Sequence, residues 1–161
     1  MFYPFFALAA VSPGRQIAFR CLACVHVGIV GIMVLFLQGR ADLESLYILG
    51  HVLLVAGIVE GALLLGWRLT QLPKSQALEF VFVSPLHPSL LFLAEIMVGV
   101  ARLALVTLAG LPLLLSLVLD QTLYPIDVLP LLWMPLLWGT ITGLGLTAWA
   151  YEPATVRRWG E

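Results

Sequence analysis

Hydrophobic residues make up 61% of the 161, charged residues only 11%, and the formal net charge is −1. A water-soluble domain carries about 25% charged residues, so this chain cannot cover its own surface in water. There is no basic excess to attract nucleic acid either. The composition is that of an integral membrane protein.

The first fifteen residues, MFYPFFALAAVSPGR, have a short apolar part with no basic residue ahead of it. A cleaved secretory signal is therefore a poor fit, although Ala7-Leu8-Ala9 loosely resembles a cleavage site. An interfacial segment ending at a Ser12-Pro13-Gly14 turn fits better, with Phe2, Tyr3, Phe5 and Phe6 in the headgroup layer that favours aromatic rings.

Residues 17–37 are the first predicted span, supplying about the twenty apolar residues that a hydrocarbon core requires. Gln38-Gly39-Arg40-Ala41-Asp42 breaks it, and residues 46–67 form the second span, closed by Trp67-Arg68. A polar interruption follows over residues 72–88. The apolar run from Ser89 to Leu119 is too long for one perpendicular helix at ~1.5 Å per residue. Glu95 places the third span at about 96–118, with Pro112 as an expected kink. Asp120–Asp127 reads as a short hairpin, and 128–150 is the fourth span. The predicted fold is all-α: a single four-helix membrane domain with one short helix between spans two and three.

Arg15, Arg20, Arg68, Lys74, Arg157 and Arg158 fall on one side of this threading, and only Arg40 falls clearly on the other. The positive-inside rule then puts both termini and residues 72–88 in the cytoplasm. Trp67, Trp149 and Tyr151 mark the inner interface, while Tyr47 and Tyr124 mark the outer one.

Candidate chemistry is sparse. His26 lies near the middle of span one, His51 about a turn from the outer end of span two, and His87 in the cytoplasm. The unequal depths of His26 and His51 do not favour a shared haem or metal plane. Histidines hydrogen-bonded between helices or near an interface explain them better. Cys21 and Cys24 have redox-motif spacing without the strand-to-helix context that motif needs, and close helix packing is the expected reason for them. No serine has a base and orienter beside it, and there is no Walker motif, so catalysis is not expected in this chain. Glu60 is the one acid deep inside a span, with Arg102 of span three as its candidate partner. Such a group marks either a substrate pathway or a structural ion pair. Gly57/Gly61 and Gly139/Gly143 have the small-xxx-small spacing that lets helix backbones approach.

Within residues 72–88, Pro73 is suited to a helix start, and Ser75–Val83 has room for about two turns before Pro85. Leu78, Val81 and Phe82 fall on one face, Gln76 and Glu79 on another. Such a helix can rest on the bilayer or fill a groove on a cytoplasmic partner. In Leu78-Glu79 and Ser84-Pro85-Leu86-His87-Pro88, between spans two and three, the chain resembles the membrane subunits of type-2 ATP-binding-cassette exporters. There the segment is the coupling helix that contacts the ATPase, and an interfacial elbow helix precedes the first span. The resemblance implies coupling roles for Leu78, Glu79, Val81, Phe82, Ser84 and Pro85, and a second permease copy or half. It also implies an ATPase subunit that binds the ATP, no cofactor in this chain, and residence in the plasma (inner) membrane. Leu72-Pro73-Lys74 replaces that family's acidic-basic-acidic run, so the contact is expected to lean on Leu78, Val81 and Phe82. The family has six spans, so four imply a fragment, a split subunit or a short form. The alternatives are a non-catalytic four-span scaffold or assembly protein and, on weaker grounds, a redox subunit.

Overall fold

The computed structural model describes residues 13–38, 42–71 and 88–151, all of them helical apart from short turns. Helix α1 is Pro13–Leu37. Helix α2, Leu43–Gly61, starts where the Asp42 side chain caps it: Ser45 N donates to Asp42 Oδ2 at 3.3 Å, and Ser45 Oγ to Asp42 Oδ1 at 2.7 Å. That carboxylate satisfies one of the backbone donors a helix start leaves open. The helix then passes through one π turn, Ala62–Gly66, into α3, Trp67–Gln71. Helices α4, Pro88–Ala109, and α5, Leu111–Leu119, make up the third rod, and α6, Pro125–Tyr151, the fourth.

Four stretches are long and apolar enough to cross a membrane: Gln16–Leu37, Leu43–Gly66, Phe92–Leu119 and Pro125–Ala150. Their outward faces are apolar as well, with Leu35 74%, Ile32 69% and Leu119 82% exposed. In water that surface would drive aggregation; in hydrocarbon it is simply solvated. The protein is a membrane protein built on four helical rods.

The rods thread up and down. Gly57 lies against Pro135 and Gly61 against Gly139, each pair four residues further on, so α2 and α6 run parallel. Gly110 meets Val30 and Gly31 meets Leu113, so α1 runs parallel to the third rod. Gln38 Nε2 reaches Asp120 Oδ2 at 3.5 Å, bringing the α1–α2 and α5–α6 connections to one end. Pro13, Gln71, Pro88 and Tyr151 therefore share the other.

Two apolar clusters fill the interior. The first gathers Val30, Val34, Leu37, Leu49, Leu53, Leu114, Leu117, Leu123, Val128 and Leu131 at the end that carries the two short connections. The second gathers Leu64, Leu65, Leu103 and Val106, with Phe19, Leu22 and Leu136 against them, towards the other end. Bare glycine surfaces join α2 to α6. A Cβ on Gly57 would stand 2.5 Å from Pro135 Cβ, one on Gly143 would stand 2.6 Å from Leu65 Cβ, and one on Gly61 would run into the Gly139 backbone. The small-residue spacing read from the sequence thus forms a direct backbone-to-backbone seam.

Three expectations change. Pro13 and Gly14 open α1 and do not form a turn before it, consistent with proline's fitness for a first helical position. The third-rod break centres on Gly110, with Pro112 in the first turn of α5, where its missing N–H costs least. Cys21 and Cys24 are exposed among the described residues, so they do not serve the close helix packing expected of them there. The helix proposed for Ser75–Val83 and the interfacial segment before Pro13 lie outside the described residues.

Candidate intramembrane polar site

Hydroxyls inside this bundle are satisfied locally. Thr107 Oγ1 donates to the Leu103 carbonyl at 3.0 Å, Thr140 to Leu136 at 2.8 Å and Thr147 to Gly143 at 2.8 Å. Each returns its proton to the carbonyl one turn back, which removes a polar liability without needing a second helix.

Glu60 cannot do this, and its solution links two helices. Its Oε1 lies 2.8 Å from His26 Nδ1, with the side chains 4% and 2% exposed. His26 stands one residue past the midpoint of α1. Glu60 stands next to the end of α2, immediately before the π turn. Along each rod the pair falls between the two apolar clusters: α1 contributes Leu22 to one and Val30 to the other, and the second rod contributes Leu53 from α2 and Leu64 from the π turn. The polar bond is a layer between two dry halves.

Both neighbouring backbones are irregular at this level. In the π turn, Trp67 N–H bonds back five residues to the Ala62 carbonyl. The extra residue in that turn lets Leu64, Leu65 and Gly66 all be buried in succession, which a regular 3.6-residue repeat does not allow on one face. On the third rod, Gly110 N bonds to the Thr107 carbonyl at 3.3 Å, a tightened turn that ends α4. Pro112 has no N–H, so the Leu108 carbonyl lacks its usual donor four residues on. The imidazole packs into the notch: a Cβ on Gly110 would sit 3.1 Å from His26 Nε2 and 3.0 Å from Val30 Cγ2. A side chain at Gly110 would fit only if His26 and Val30 gave way by a few tenths of an ångström.

Half of the carboxylate remains open. Glu60 Oε2 is buried and has no hydrogen-bond partner, alone in this respect among the described side chains. The sequence foresaw an intramembrane acid with a partner, and the partner bonded to Oε1 is His26, 34 residues away. Arg102 lies half-buried on α4. His51 is separate: it is exposed, with Nδ1 2.7 Å from the Tyr47 carbonyl of its own helix. Glu95, expected near the headgroups, is 7% exposed within α4. No cluster of three or more His, Cys, Asp or Glu suited to a metal occurs among the described residues.

An apolar recess of about 300 Å³ lies between α4 and α6, lined by Phe92, Leu144, Thr147 and Ala148. Residues Leu78, Glu79, Val81, Phe82, Ser84 and Pro85, which the exporter resemblance singles out, lie outside the described residues. No family model, no curated protein and no solved structure matches this chain.

Proposed function

We propose that this chain is a permease subunit of an ATP-binding-cassette exporter, moving an unidentified substrate without chemistry of its own. The observation that carries this reading is the Leu78-Glu79…Ser84-Pro85-Leu86-His87-Pro88 segment, placed between the second and third spans. The fold supports it in one respect: the flanking residues, Gln71 and Pro88, stand at the same end of the bundle. A push there would act on the second and third rods together. In this reading that end and both termini face the cytoplasm of the plasma membrane. A separate ATPase binds the ATP, and a second permease copy or half supplies the facing wall of the pathway. Closure of the ATPase tilts the two rods and switches access, a two-state change driven by the partner's nucleotide state.

Co-purification from the native membrane tests this. The wild-type chain is expected to bring down an ATPase with Walker motifs, and Leu78→Asp and Phe82→Asp are each expected to reduce its recovery at least tenfold. Recovery unchanged by both substitutions contradicts the coupling role. Recovery of no ATPase with the wild type favours a four-span scaffold.

A further inference from the structure

The His26–Glu60 bond sits between two apolar clusters with half its carboxylate unpartnered, and this burial limits how many protons it holds. With neutral imidazole donating Nδ1–H to an ionised carboxylate, the pair carries one net negative charge. With one more proton it is neutral, as imidazolium–carboxylate or as imidazole–carboxylic acid. Surroundings of low polarity strongly favour the neutral count. Of the two neutral forms, the ion pair leaves a charged oxygen, Oε2, with no donor. The acid form leaves only an unmatched neutral acceptor there, which is the smaller penalty.

We propose that His26 and Glu60 form a proton-binding site inside the membrane, with the proton on Glu60 Oε1 donated to His26 Nδ1 and the imidazole's own proton on Nε2. Release moves the Oε1 proton onto Nδ1 and sends the Nε2 proton to water. The Oε1–H and Nε2–H bonds break, an Nδ1–H bond and an O–H bond to water form, and the pair goes from net zero to one negative charge. The imidazole edge bearing Nε2 rests in the Gly110 notch, so the proton that leaves is the one facing the break between α4 and α5. The ionisable groups on the surrounding helices are few. Besides the pair itself, helix α1 carries Arg15, Arg20, Cys21 and Cys24, α2 carries Glu44, Tyr47 and His51, the last turned outward onto its own helix, and α3 carries Arg68. The third rod carries Glu95, Arg102 and Asp120, with Arg102 eight residues ahead of Gly110, and residues 128–150 of α6 carry none. This site goes beyond the permease reading and does not depend on it.

Infrared spectroscopy of the full chain in lipid nanodiscs tests the proposal. At neutral pH the wild type is expected to show one protonated-carboxyl stretch that shifts in heavy water and is lost as pH is raised. Glu60→Gln should abolish this band, Glu95→Gln should retain it, and His26→Gln should move its frequency. Absence of the band in the wild type at neutral pH overturns the proposal without any variant, because the carboxylate is then ionised and balanced by His26 or Arg102. Loss of the band in Glu95→Gln, or survival in Glu60→Gln, also overturns it. Loss on adding sodium chloride at constant pH marks a metal-cation site and overturns the proton assignment. The measurement uses this chain alone, so its failure leaves the ATPase test untouched.

Discussion

Removing either member of the His26–Glu60 bond leaves the other's polar atoms among apolar side chains. Glu60→Leu or His26→Leu alone is expected to destabilise the bundle by about 1–3 kcal/mol, the usual penalty for an orphaned buried group. The double replacement should cost less than the sum, because no orphan then remains. Couplings in membrane helices average ~0.6 and reach ~1.7 kcal/mol, and a thermodynamic cycle from unfolding in mixed micelles checks the value. Gly110→Ala tests the same spot from the third rod, since its methyl would lie 3.1 Å from His26 Nε2. Val30 Cγ2 would lie 3.0 Å from the same methyl, so the background that removes both neighbours is His26→Ala with Val30→Ala. We expect Gly110→Ala to lower the thermal midpoint of the wild type clearly, and that of this double variant little. An equal effect in both backgrounds would put the strain elsewhere. At this scale the sequence was only partly legible. Glu60 stood out because an acid in a span is costly. The bond to His26 did not, because finding it requires knowing how each helix is rotated. Cys21 and Cys24 failed for the same reason: spacing says nothing about which face meets lipid.

At the scale of elements, the α2–α6 seam makes a sharper prediction than any side-chain contact. Gly61→Ala pushes a methyl into the Gly139 backbone, where no rotamer change can relieve it. It should lower stability by ~1–3 kcal/mol or more, as overpacking does. Gly28→Ala, with nothing within 4 Å of the new Cβ, should change stability by less than about 1 kcal/mol. Thermal unfolding of the two variants in detergent separates them, and similar losses would mean that α2 and α6 do not meet as described. This seam was visible in the sequence as two small-xxx-small pairs, since close approach has few chemical solutions. The π turn was not. Ala62-Leu63-Leu64-Leu65-Gly66 contains no proline and reads as ordinary helix. The turn follows from burying Glu60, Gly61, Leu64, Leu65 and Gly66 together, a tertiary demand that local propensity does not carry. The third-rod break was half legible: Pro112 announced it, but the break centres on Gly110, where a Cβ would crowd His26 and Val30.

For the molecule as a whole, hydropathy alone was enough to find four spans, because about twenty apolar residues in succession have few other uses. The additional residues at their ends came from packing and capping. Leu43 joins α2 through the Asp42 cap, and α4 begins at Pro88 with Glu95 sheltered by protein. Both functional proposals stand on the same four crossings. The permease reading needs residues 72–87 in the cytoplasm with both termini, and the proton site needs His26 and Glu60 within hydrocarbon. Labelling of single cysteines, after replacing Cys21 and Cys24 with serine, tests this arrangement most directly. In sealed inside-out vesicles, a membrane-impermeant maleimide is expected to label Ser75→Cys and Glu161→Cys and to spare Gln38→Cys and Gln121→Cys. In right-side-out vesicles the pattern should reverse. Labelling of Ser75→Cys and Gln38→Cys from the same side would contradict the account, because the second rod would then not cross the membrane.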